Sequence, residues 1–200
     1  MKIRPKYRKK YGLIPYALNQ LEQAVMPNAA NHRESYRCPE CKRPVMLRTS
    51  KLKRKFFAHR VKRYCKLERS SSVLAKHVLR LTFEQWLKGK GDPIEVSHFC
   101  QSRQSIPREE IAYVKINSSM SSPLAAADLV LFDNFDVPFR AFSFDHRNRS
   151  VSPIAVMELS SEEVLSNPYL LSPLYPNSQT PPFKSDSGPE QLSLSLFSSD

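Results

Sequence analysis

Cys38 and Cys41, spaced CxxC within YRCPECKR, constrain the fold of this chain more than any other feature. A CxxC knuckle lets both thiolates point at one ion from a tight turn. His59 and Cys65 follow, separated from the knuckle by two strand-like runs, PVMLRTS and KFFAH, with the turn-like KLKR between them. Two ligands from a knuckle and two from the far side of a hairpin make a closed tetrahedral site. Such a site suits structural zinc, because no position is left for water or substrate. It would also stabilise a hairpin too small to bury a core of its own. Two other readings stand beside this one. The thiols could be ordinary reduced cysteines with His59 on the surface, or His77 or Cys100 could replace His59 or Cys65 in the ligand set. His77 falls mid-helix and Cys100 at a strand end, where core neighbours are commoner than ligands. His32 and His98 carry no specific signal.

Four cysteines in 200 residues, two of them in one CxxC, point to a metal site rather than a disulfide framework. No apolar run approaches the roughly 20 residues that span a bilayer. The basic MKIRPKYRKKYG lacks the apolar stretch of a secretory leader. The expected location is the cytoplasm.

The net charge of +12 is unevenly spread. Residues 1–80 hold 22 Lys and Arg against 4 Asp and Glu, a balance of +18, and the remainder holds 9 against 15. A field of that sign attracts polyanions. Aromatics are interleaved with the cations at Tyr7, Tyr11, Tyr36, Phe56, Phe57 and Tyr64, where bases could stack while cations hold phosphates. A well-solvated surface is the plainer alternative. The candidate DNA contacts are Lys51, Lys53, Arg54, Lys55, Arg60, Lys62 and Arg63.

The chain divides into a basic segment over 1–35, a zinc-ribbon-like β module over 36–67, a core over 68–166 and a tail over 167–200. In the first, IPYALNQLEQAV fits a strand or a helix. From Ser70 the pattern is helical: Ser70, Ser71 and Ser72 offer N-caps, and Leu79, Phe83, Trp86 and Leu87 recur on one face. Gly89, Gly91 and Pro93 end the helix. Strand candidates follow at 94–99, 111–117, 127–133, 139–144 and 153–159, the last almost continuously apolar, as in a central strand covered on both faces. The expected fold is therefore α/β or α+β, with a mixed sheet. The tail, with six prolines and eight serines in its 34 residues, reads as disordered.

Asp128 and Glu158 sit at the ends of two apolar strand candidates. An acid there is costly unless paired, solvated or bound to a cation. On adjacent strands the pair could hold Mg²⁺ or Mn²⁺, which would polarise a phosphodiester and activate water. A solvent-facing position is the alternative.

Taken in order, YRCPECKRPVMLR, KFFAH, Cys65, SSSVLAKHVLRLTFEQWL, ADLVLF and AVMELS resemble the competence protein CoiA-like family, over roughly residues 11–166. The resemblance implies zinc ligands Cys38, Cys41, His59 and Cys65, and then a restriction-endonuclease-like, PD-(D/E)XK nuclease core. It would make Asp128 and Glu158 the catalytic carboxylates and put His77 near the active site. Ser160 stands where that pattern has Lys or Gln to orient the attacking water. The implied function is a metal-dependent nuclease acting on DNA in processing, repair or competence-related recombination. The alternative is an inactive, zinc-containing DNA-binding adaptor. Near the C-terminus, QLSLSLF resembles the bacterial sliding-clamp-binding peptide through Gln191, Leu192, Leu194, Leu196 and Phe197, which makes the clamp an expected partner.

Overall fold

A computed structural model describes residues 3–12, 14–61, 64–97, 102–116, 127–145 and 156–174. The fold is α+β and contains three sheets among those residues.

The first sheet has the order β2-β1-β3-β4-β5, from β1 (Ala17–Leu18), β2 (Ala24–Val25), β3 (Tyr36–Arg37), β4 (Pro44–Thr49) and β5 (Lys55–His59). The β4–β5 hairpin pairs from Val45↔His59 to Thr49↔Lys55, as its alternating runs predict. Its inward positions Val45, Leu47 and Phe57 are buried, and Tyr36 packs on Phe57 with ring centroids 5.1 Å apart. IPYALNQLEQAV resolves into strands, so this sheet starts at Ala17 rather than at residue 36. The cause is local. Asn19 Oδ1 accepts the backbone N–H groups of Leu21 and Gln23, which turns the chain back on itself before a helix can propagate.

The basic N-terminus is also ordered. Its helix α1 (Pro5–Tyr11) opens on Pro5, carries Arg8, Lys9 and Lys10 in its last turn, and closes at Gly12 with φ 71°. Helix α2 (Ser71–Leu87) starts where the serines predict: Ser70 Oγ accepts the N–H of Val73 at 3.4 Å. Leu74, Val78, Leu79, Phe83 and Trp86 are buried.

The second sheet has the order β11-β10-β9-β8, from β8 (Tyr113–Ile116), β9 (Leu129–Phe132), β10 (Pro138–Phe144) and β11 (Val156–Leu159). Strands β8, β9 and β10 are antiparallel neighbours, and β11 runs parallel to β10. Helix α2 packs on it through Phe83 and Phe142, with ring centroids 5.8 Å apart. Strand β11 is an edge strand, not the central one its apolar run suggested. Its outer side is covered by irregular chain: Leu174 donates to Glu158 O at 2.9 Å, and Leu159 bridges Pro173. That cover makes an edge position look interior in sequence.

The third sheet has the order β12-β6-β7, from β6 (Glu95–Ser97), β7 (Arg103–Ser105) and β12 (Leu170–Leu171). Strand β12 corrects the expectation that disorder starts at 167. It pairs in parallel with β6, and Leu171 is buried. Average composition hid a short apolar group, YLL, that could complete a sheet edge. Residues 175–200, with the clamp-like peptide, lie outside the described residues.

One buried cluster runs from Ile3 through the first sheet and α2 to Leu171, so metal module and core share their interior. Helix α3 (Ser161–Ser166) joins the ends. It receives the Tyr7 hydroxyl at Glu162 O (3.0 Å), Lys10 Nζ at Ser166 O (2.7 Å) and the Arg4 guanidinium at the Glu162 carboxylate (2.7 Å). Among the described residues, no helix is long and apolar enough to cross a membrane.

Candidate metal centre

The turn between β3 and β4 carries the knuckle. Cys38 N–H donates to Arg43 O at 2.8 Å, and Lys42, at φ 57°, donates back to Cys38 O at 2.9 Å. That closure turns Cys38 and Cys41 toward the end of β5, where His59 sits, and Cys65 arrives just before the 3₁₀ turn Lys66–Glu68. The four ligand atoms all lie within 4.8 Å of one another. Cys38 Sγ is 3.9 Å from Cys65 Sγ, and Cys41 Sγ is 3.1 Å from His59 Nε2. Tetrahedral zinc, with Zn–S of about 2.3 Å, holds its sulfurs about 3.8 Å apart, so this donor set fits the ion. No disulfide competes for these thiols: Cys38, Cys41 and Cys65 are free.

The surroundings tune the donors. His59 Nδ1 lies 2.7 Å from Glu68 Oε1. A carboxylate only accepts, so Nδ1 carries the proton and Nε2 presents its lone pair to the thiol cluster. Burial pushes the Cys38 and Cys65 thiols up. At Cys41 burial also raises the pKa, but the Arg43 backbone N–H, its guanidinium and His59 outweigh it and bring the thiol down to about 6. Arg43 spans the centre, with Nε 3.4 Å from Cys41 Sγ and Nη2 on Tyr64 O.

Residues 18–68 match the family described as competence protein CoiA, N-terminal domain. That segment is similar to a CoiA N-terminal domain. The match begins at β1 and ends in the 3₁₀ turn after Cys65, so it contains all four donors. No curated protein and no solved structure matches the chain.

The matched segment is wired to α2 through a buried polar chain that sequence reasoning missed. His77, 1% exposed, places Nε2 3.0 Å from Glu40 Oε2 in the knuckle and Nδ1 2.8 Å from the Tyr16 hydroxyl. The carboxylate again assigns the tautomer: Nε2–H donates to Glu40 and Nδ1 accepts from Tyr16. Arg80 continues the chain from Tyr16 to Glu84, at 3.4 and 2.7 Å. Burial lowers the His77 pKa, whereas the hydrogen bond from His77 holds the Glu40 carboxyl down. His77 is thus neither a zinc ligand nor free on either ring nitrogen. A glutamate inside CPEC and a histidine inside an amphipathic helix are each commonplace, and only their juxtaposition reveals the pair.

The carboxylates predicted to be catalytic are not gathered in the same way. Asp128, just before β9, accepts the Phe144 N–H at 3.0 Å and lies 4.0 Å from Lys76 Nζ on α2. Glu158 is half-buried on β11, opposite Ser143 of β10. Strand β10 separates them, two strand spacings or about 10 Å. Among the described residues the only cluster of three or more metal-binding side chains is the Cys₃His set. Ser160 stands at the N-cap of α3 without a side-chain capping bond.

Lys51, Lys53, Arg54 and Lys55 are exposed at the β4–β5 turn, and Arg60 is exposed beyond it. Lys62, Arg63, His98 and Cys100 lie outside the described residues.

Proposed function

We propose that this protein is a zinc-stabilised DNA-binding component of competence-type DNA processing. The supporting observation is a segment similar to a CoiA N-terminal domain whose Cys₃His cluster supports a hairpin with four clustered cations at its turn, Lys51, Lys53, Arg54 and Lys55, all exposed. Zinc in such a site fixes backbone rather than performing chemistry. The test is DNA affinity against salt. Binding should weaken steeply, and reversing those four charges should flatten the log–log slope by about 0.9 for each duplex phosphate that the variant no longer neutralises. A slope unchanged by the reversal would overturn the assignment.

A second reading, a divalent-metal-dependent nuclease, is favoured by α2 followed by a mixed sheet with Asp128 and Glu158 near the ends of β9 and β11. Those two side chains would hold Mg²⁺ or Mn²⁺, which activates water and offsets phosphodiester charge. Cleavage should then need the ion and vanish in Asp128→Ala and Glu158→Ala while DNA binding survives. Activity that persists in both variants excludes this site. A silent wild type rescued by Ser160→Lys would mark a lapsed nuclease. Recruitment through Gln191, Leu192, Leu194, Leu196 and Phe197 belongs to either reading. Titrating a peptide of residues 186–200 against sliding clamp tests it, and no binding at about 100 µM removes it.

A further inference from the structure

Between α1, the β4–β5 hairpin and α2 lies an open groove of about 890 Å³. Six cations line it, Arg8, Lys9 and Lys10 from α1 and Lys53, Arg54 and Lys55 from the hairpin, and no acidic residue does. None of the six forms an ion pair with a described residue. Lys10 donates to the Ser166 carbonyl with its ammonium 4.9 Å from the Tyr11 ring centroid, and Lys55 donates to the Ala30 carbonyl. The charge of this rim is therefore uncompensated among the described residues.

The floor differs in kind. Ile14, Met26, Val78 and Leu81 make it apolar, and Tyr11 and Tyr169 bring rings to its walls. The Tyr11 hydroxyl is buried and has no hydrogen-bond partner among the described residues. Leaving such a group unpaired costs about 1–3 kcal/mol, and an incoming acceptor relieves that cost. Burial pushes this phenol up to about 12, so it is a protonated donor at neutral pH.

A cationic rim over an apolar, ring-walled floor with an orphan donor fits a polymer that is anionic along its backbone and apolar on its exposed faces. An unpaired nucleic-acid strand has both properties: phosphates for the rim, bases for the floor, and base carbonyls for Tyr11. A duplex keeps its base faces stacked inside and offers phosphates, sugars and groove edges instead. We propose that this groove binds an unpaired stretch of nucleic acid, with phosphates on α1 and the hairpin and bases over the floor against Tyr11. The proposal rests on the DNA-binding reading above and narrows it to one strand state and one place.

The test is fluorescence anisotropy with zinc-loaded full chain, a labelled 12-nucleotide oligothymidylate and a 12-base-pair duplex. The single strand should bind about tenfold tighter than the duplex, because stacking on aromatic walls contributes only when bases are free. Arg8→Glu with Lys9→Glu, on exposed positions of α1, should weaken single-strand binding about tenfold and reduce its salt slope by about 0.7 for each phosphate left un-neutralised. Leu81→Trp, which fills the floor, should weaken the single strand about fivefold and leave the duplex unchanged. If that variant does not fold, the α1 pair and Tyr11→Phe carry the test. Equal binding of both strand states, with all groove variants indifferent, would overturn the groove while leaving DNA binding intact. Displacement of oligothymidylate by polyglutamate at equal charge would also overturn it, as a mere polyanion site. Failure of both nucleic acids to bind would overturn the DNA-binding reading itself.

Discussion

At the scale of single residues, the metal centre and the buried chain beside it depend on two glutamates that are not ligands. Glu68 fixes the His59 tautomer that turns Nε2 to the thiols. Glu68→Gln should therefore bind zinc about 10–100-fold more weakly with the fold retained, measured by competition with a chelating dye. Zinc uptake should also release about two protons at pH 7.5: burial keeps Cys38 and Cys65 protonated, while Cys41, near 6, is already largely thiolate. Calorimetry in buffers of different ionisation enthalpy reads that number, and no release would refute the assignment of protons. Glu40 acts through His77. His77→Leu strands the Glu40 carboxylate and the Tyr16 hydroxyl and should cost about 2–3 kcal/mol, read by denaturant unfolding. The pH dependence has a definite sign. His77 and Glu40 both have pKa values lower in the fold than in the unfolded chain. Their contribution is complete above the unfolded His value of about 6.5, and is lost as acid protonates first the unfolded histidine and then Glu40. The melting temperature should fall from pH 7 to pH 4, and fall less in His77→Leu.

At the scale of elements, what the sequence made legible was whatever repeats or punctuates locally. Helix α2 was readable because a serine N-cap, an apolar stripe and two glycines all mark the same segment. The β4–β5 hairpin was readable from alternation, and the gathering of Cys38, Cys41, His59 and Cys65 from spacing. Strands β1, β2 and β12, two residues each, were not, because their pairing is decided by partners elsewhere in the chain. The same holds for the edge position of β11 and for the Glu40–His77 contact, which joins residues 37 positions apart. Gly91 shows how punctuation becomes packing. It sits at φ 88°, and a Cβ there would run into the Tyr169 ring. Gly91→Ala should destabilise by about 1–2 kcal/mol and release Tyr169, with a lowered melting temperature as the readout. An unchanged melting temperature would show that the turn and Tyr169 readjust freely.

At the scale of the whole molecule, the continuous interior couples the candidate metal centre to the far end of α2. Trp86 is the chain's one tryptophan and is buried in the same cluster as Cys38 and Cys65. Removing zinc with a chelator should therefore red-shift Trp86 emission in the same transition that reduces far-ultraviolet ellipticity. Two separated transitions would mean that the Cys₃His module and the remainder unfold independently.

The attachment of α1 to α3 also sets an order of assembly during synthesis. One wall of the groove comes from Arg8–Tyr11 and another from Ser166–Tyr169, and Tyr7 and Lys10 are bonded to residues 155 and 156 positions later. A ribosome adding 5–20 residues per second needs roughly 10–30 s to travel from the first wall to the second. For most of that interval the cationic rim of α1 is already outside the exit tunnel, yet the cleft it helps to line is unfinished. The nascent chain thus completes the groove only once Ser166–Tyr169 have been added, more than 150 residues after the first wall.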